Sequence, residues 1–80
     1  MLETMMIIRG QQYRITRDDI LRAAPSTAPE PINVYYVEID GRRYPPKQLI
    51  RLATGARKPF DSMNARAALT RLDFVVKASL

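Results

Sequence analysis

Glu38-Ile-Asp40, with Lys47 a little further on, has the residue types of a metal-dependent nuclease centre. In such a centre carboxylates hold a hard cation and an ammonium steadies developing charge. Each member has a simpler assignment. Asp40-Gly41 suits a tight turn, Glu38 falls opposite Arg43 across that turn, and Lys47 stands at a helix start instead of an adjacent strand. No further carboxylate is placed by the sequence to complete a metal site. The chain has neither Cys nor His, which removes zinc sites, disulfides, thiol nucleophiles and imidazole acid–base chemistry. The expectation is a protein that is not an enzyme, with no catalytic residue, no metal and no cofactor.

The remaining chemistry lies in the basic side chains. Residues 1–40 carry four basic and six acidic groups, a net of −2, whereas residues 41–80 carry nine basic and two acidic groups, a net of +7. The overall +5 conceals that polarity. Arg42, Arg43, Lys47, Arg51, Arg57, Lys58, Arg66 and Arg71 are the candidate contacts to a polyanion, with Tyr36 as the aromatic expected to be exposed beside them. Neutralising several phosphates releases condensed counterions and yields sequence-independent affinity for DNA. Ordinary solvated surface charge is the competing assignment, since sequence asymmetry becomes a patch only when folding makes it one.

These residues need a scaffold, and 80 residues support one domain, residues 1–80, with a single modest core. A composition 46% hydrophobic and 26% charged is that of a globular chain and not of a disordered one. No run approaches the roughly 20 apolar residues of a membrane span, and Met5-Met6-Ile7-Ile8 is too short for a signal-peptide core, so a cytoplasmic protein without membrane contact is expected.

Val34 to Tyr44 is the strongest local signal. Asp40-Gly41 tolerates the positive φ angles of a type I′ turn, giving a hairpin of about residues 33–39 and 42–44. In that register Ile39 faces Arg42, Glu38 faces Arg43 and Val37 faces Tyr44. Alternation then places Tyr35, Val37, Ile39 and Tyr44 on an apolar face and Tyr36, Glu38 and Arg43 on a wet one. Pro46 is pre-organised for the first position of a helix over 46–54, with Leu49, Ile50, Leu52 and Ala53 facing inward and Gly55 terminating it.

Thr16 caps a helix over 17–24, with Ile20, Leu21 and Ala24 inward. Asp61 or Ser62 caps one over 62–72, where Ala65, Ala68, Leu69 and Leu72 form the stripe. Residues 5–15 suit a strand or hairpin turning at Arg9-Gly10, and residues 74–77 a closing strand beside the central hairpin. Three prolines between Pro25 and Pro31 mark a surface loop. The fold class is α+β: a small antiparallel sheet packed with three short helices.

The run Tyr36-Val37-Glu-Ile-Asp-Gly41-Arg-Arg-Tyr44-Pro45-Pro46-Lys47-Gln-Leu-Ile50, then Phe60 and Ala68-Leu69-Thr-Arg-Leu72-Asp-Phe74-Val75-Val76, resembles the N-terminal head domain of ScoMcrA-like HNH restriction endonucleases. The resemblance covers about residues 16–77. It implies a small accessory module from proteins that recognise and cut modified foreign DNA, without the HNH nuclease or the modification-binding part. Asp73 stands where that pattern has glycine, which implies a left-handed backbone there. The expected partner is double-stranded DNA, with RNA left open. The alternative is a protein-interaction or homodimerising module, such as an antitoxin-like adaptor or a regulator of a separately encoded nuclease, joining through the apolar Met5–Ile8 segment.

Overall fold

The computed structural model describes residues 2–79. Two strands, β1 (Glu3–Ile8) and β2 (Gln11–Thr16), form an antiparallel hairpin. Arg9 and Gly10 turn it at φ 51° and 81°, the two successive left-handed residues of a type I′ turn. Along β1 burial alternates. Met6 and Ile8 enter the core while Met5 and Ile7 face out, because successive strand side chains point to opposite faces.

Helix α1 (Arg17–Ala23) follows directly, and its start is a reciprocal capping box. The Asp19 N–H donates to the Thr16 hydroxyl at 3.0 Å, and the Thr16 N–H donates to the Asp19 carboxylate at 2.9 Å. Ile20 and Ala24 are fully buried, but Leu21, expected inward, is exposed. It lies one residue around the helix from Ile20, outside the arc that meets the core. A short 3₁₀ turn (Ala24–Ser26) ends this helix and leads into the proline loop.

The central hairpin, β3 (Tyr35–Ile39) and β4 (Arg42–Tyr44), has the expected register: Val37 pairs with Tyr44, Glu38 with Arg43 and Ile39 with Arg42. Asp40 and Gly41 take φ of 52° and 79° at its turn. Helix α2 (Pro46–Thr54) begins at the second proline and stops at Gly55. Helix α3 (Ser62–Arg71) is capped by Asp61, which accepts from the Asn64 N–H at 2.8 Å. The last strand, β5 (Lys77–Ala78), pairs antiparallel with β3, Tyr35 against Ala78 and Tyr36 against Lys77.

The fold is α+β, with the strands divided between two antiparallel sheets, β1-β2 and β4-β3-β5. The closing strand is shorter and later than residues 74–77. The cause is the end of α3, where the Asp73 N–H donates to Thr70 and the Phe74 N–H to Leu69, each at 3.0 Å. That is a Schellman closure, and it commits Phe74 to the core before extended pairing starts. Arg17 seals the same corner. Its guanidinium donates to the carbonyls of Leu72 and Asp73, each at 2.9 Å, and lies 4.2 Å from the Phe74 ring centre.

Ile8 and Ile15 of the first hairpin, Ile20 of α1, Val37 and Tyr44 of the central hairpin, Leu49 and Ile50 of α2, Ala65, Ala68 and Leu69 of α3, and Leu72 at the C-cap of α3 make one core. Burying each large aliphatic side chain contributes about 1.5–3 kcal/mol. Tyr44 also places its hydroxyl on the Ala24 carbonyl at 2.8 Å, tying β4 to the end of α1.

Candidate nucleic-acid interface

Helix α2 presents Lys47 and Arg51 on its exposed face, one turn apart, because Leu49 and Ile50 take the opposite side into the core. The connector after Gly55 brings Arg57, Lys58, Pro59 and Phe60 back alongside them, and the proline loop supplies Glu30, Pro31 and Asn33 from the other bank. Between the banks lies a groove of about 360 Å³ lined, among the described residues, by four cations, Lys47, Arg51, Arg57 and Lys58, and one carboxylate, Glu30. The Lys47 ammonium lies 5.8 Å from the Phe60 ring centre, which keeps the cation over an aromatic floor.

The proline-loop bank is held by a buried amide. Gln48 is only 3% exposed; its Oε1 accepts from the Glu30 N–H and its Nε2 donates to the Ala28 carbonyl. Both polar ends of the amide are therefore satisfied, as burial requires. Thus fixed, Glu30 forms an ion pair with Arg51, the residue one turn along from Gln48. The two side chains are 47% and 44% exposed, so water screens the pair and leaves Arg51 able to exchange partners.

A second cavity of about 220 Å³ continues from the groove. It shares Pro31, Asn33, Pro45 and Lys47 with the groove and adds Val34, Tyr35, Pro46 and Ser62. Arg66 of α3 lies 3.9 Å from the centre of the Tyr35 ring, so a cation covers that aromatic at the far end.

The tyrosines exchange their expected environments. Tyr36 is 8% exposed and Tyr35 is 37% exposed. Tyr36 does share a face with Glu38 and Arg43, and those two stay exposed as expected, but the Arg43 guanidinium lies over the Tyr36 ring at 4.6 Å and takes that one side chain out of water. Tyr35 stands at the rim, under Arg66, beyond the part of the hairpin that the core fills.

The other cations are dispersed. Arg42 lines a separate hollow with Ala24, Pro25, Ile39, Asp40 and Tyr44. Arg71 turns to the first hairpin, where its Nε donates to the Thr4 hydroxyl at 2.6 Å. Folding thus gathers Lys47, Arg51, Arg57 and Lys58, sets Arg66 at the end of the adjoining cavity, and sends Arg42, Arg43 and Arg71 elsewhere. Glu38 and Asp40 stay exposed on the hairpin and its turn. Among the described residues no three carboxylates stand close enough together to hold a metal ion.

Sequence reasoning missed Glu30, Asn33, Gln48, Tyr35 and Phe60 as parts of this surface. Gln48 had a legible signal. It lies four residues before Leu52, on the margin of the apolar arc, where a polar side chain meets a neighbouring loop. Glu30 and Asn33 had none, because a proline-broken loop carries no periodicity to say which way a side chain points.

Among the described residues no helix is long and apolar enough to cross a membrane. No curated protein and no solved structure matches the chain. The model of one family matches from the first strand to the last residue, over residues 5–80 and so across both hairpins and both banks of the groove, and the chain belongs to the SCO5918-like family.

Proposed function

We propose that this chain is a non-enzymatic nucleic-acid-binding protein that holds the phosphates of double-stranded DNA on the surface of α2 and the 55–60 connector. The observation that carries the reading is the lining of the groove, four cations against a single carboxylate. A mixed surface has no reason to segregate charge in this way, and a polyanion is the ligand that rewards it. The resemblance of residues 16–77 to a head module of DNA-cleaving restriction proteins supports the same reading and suggests a defence or regulatory setting.

The test is the anisotropy of a labelled duplex titrated at several salt concentrations. Four phosphate contacts give a slope of log K against log salt of about −3 to −4. Reversing Lys47 and Arg51 to Glu, with folding verified by circular dichroism, abolishes binding at moderate salt. Absence of binding even at low salt would sink the reading, and a salt-independent affinity would remove phosphates from it.

A second reading, a self-associating interaction module, rests on β1. Among the described residues its only strand partner is β2, and Met5 and Ile7 are 47% and 64% exposed. Open strand edges with apolar side chains invite pairing with another chain. Light scattering that shows a monomer across concentration counts against it; dimerisation abolished by Ile7→Lys, with DNA binding unchanged, favours it.

A further inference from the structure

We infer that the cavity beside Tyr35 is a base-binding site, and that the groove and cavity together take a single-stranded segment of nucleic acid, with phosphates on the α2 side and one unpaired base against Tyr35. The inference rests on the reading of the groove as a phosphate site and extends it from duplex DNA, which can meet the groove alone, to an unpaired strand that engages groove and cavity together.

Four features of the cavity carry it. First, the cavity opens from the cationic groove through shared lining residues, among them Lys47, so a base and its own phosphate reach both at once. Second, Tyr35 is the one partly exposed aromatic of the second hairpin, and the Arg66 guanidinium that covers it at 3.9 Å takes no part in lining the cavity. A tyrosine held by a cation on one side is a rigid platform, and stacking on such a ring tolerates any base.

Third, Pro46 adds an apolar residue to the lining, while Asn33 and Ser62 are residues whose donors and acceptors suit a base edge. Fourth, a lining that sets an aromatic ring beside polar groups suits an unpaired base better than a paired one. In a duplex the base faces are stacked on their neighbours and only their edges are presented in the grooves, whereas a base in an unpaired strand offers a face to an aromatic and its edge to polar groups.

The experiment compares a labelled 15-residue oligothymidylate, the oligouridylate of equal length, and a duplex, each titrated with the wild-type protein and with Tyr35→Ala and Tyr35→Leu variants. Leu keeps apolar packing beneath Arg66 while removing the ring, so it separates lost stacking from lost folding; thermal melts verify both variants. Single strands, with either sugar, are expected to bind the wild type more tightly than the duplex. Both variants are expected to lose roughly tenfold of that affinity while duplex affinity changes less than about twofold. Wild-type binding to duplex alone, or a Tyr35→Leu protein that holds single strands as well as the wild type does, overturns the inference and leaves the phosphate groove standing. Failure of every nucleic acid to bind the wild type at low salt overturns the groove itself.

Discussion

The side-chain amide of Gln48 accepts a hydrogen bond from the backbone of Glu30 at 2.8 Å, while the same amide donates to Ala28 at 2.9 Å. A helix residue thereby takes the place of the strand or helix partners that a proline-rich loop lacks. Replacing Gln48 with Leu leaves two partly buried backbone groups unpaired and is expected to cost about 1–3 kcal/mol. Urea unfolding measures the loss, and hydrogen exchange at the Glu30 amide should quicken locally. Unchanged exchange there would mean that the loop is held by something other than Gln48.

Glu30→Gln removes the one carboxylate that lines the groove among the described residues and releases Arg51 from its ion pair. The pair is solvent-screened, so stability should shift by no more than about 1 kcal/mol. Affinity for duplex DNA at low salt should rise about two- to fivefold, because a phosphate no longer competes with a fixed carboxylate. Titration of the two proteins side by side decides it, and weaker binding by the variant would show that Glu30 assists the ligand.

The capping box predicts an acid dependence. Asp19 is held below its ordinary value of 3.8, first by the backbone hydrogen bond from Thr16, against an opposing effect of burial, and further by the Thr16 hydroxyl and Arg22. A carboxylate with a lowered folded-state value stabilises the protein above its unfolded-state value, and that contribution disappears as pH falls through the folded-state value. The urea midpoint of the wild type should therefore drop below about pH 4 more than that of Asp19→Asn. Thr16→Ala should cost about 1 kcal/mol at neutral pH.

Asp73 occupies the left-handed position of the α3 terminus at φ 67°. Side chains with a Cβ are strained in that region and glycine is not, so Asp73→Gly should stabilise the fold by about 0.5–1 kcal/mol. The backbone carbonyl that accepts from Arg17 is retained in the variant. Thermal melting checks the expectation, and a lowered midpoint would assign the aspartate side chain a role that outweighs its strain.

Much of the scaffold was legible because its signals are local. Thr16, Asp61, Pro46 and Gly55 bound their helices as capping chemistry requires, and Asp40-Gly41 set the register that places Tyr44 against Val37. The division of the strands between two sheets was not legible, since pairing between distant strands leaves no mark on the residues next to each one. Alternation correctly placed Tyr36 with Glu38 and Arg43 and sent Val37, Ile39 and Tyr44 into the core, yet the burial of Tyr35 and Tyr36 came out exchanged, because the Arg43 side chain folds over the Tyr36 ring while Tyr35 lies at the rim of the core.

The sequence by itself determined the missing chemistry, with no histidine or cysteine to act, and the polarity of charge between the two halves of the chain. It also determined which residues lie on the exposed face of α2, since helical period and the apolar stripe leave Lys47 and Arg51 no other side. Only the tertiary structure decided which cations meet. Arg57 and Lys58 join Lys47 and Arg51 because the connector after Gly55 folds back, while Arg71 leaves for Thr4 across the molecule. Neighbourhood in a surface groove depends on how separate elements pack, and that is set by the shared core and not by the side chains that line the groove.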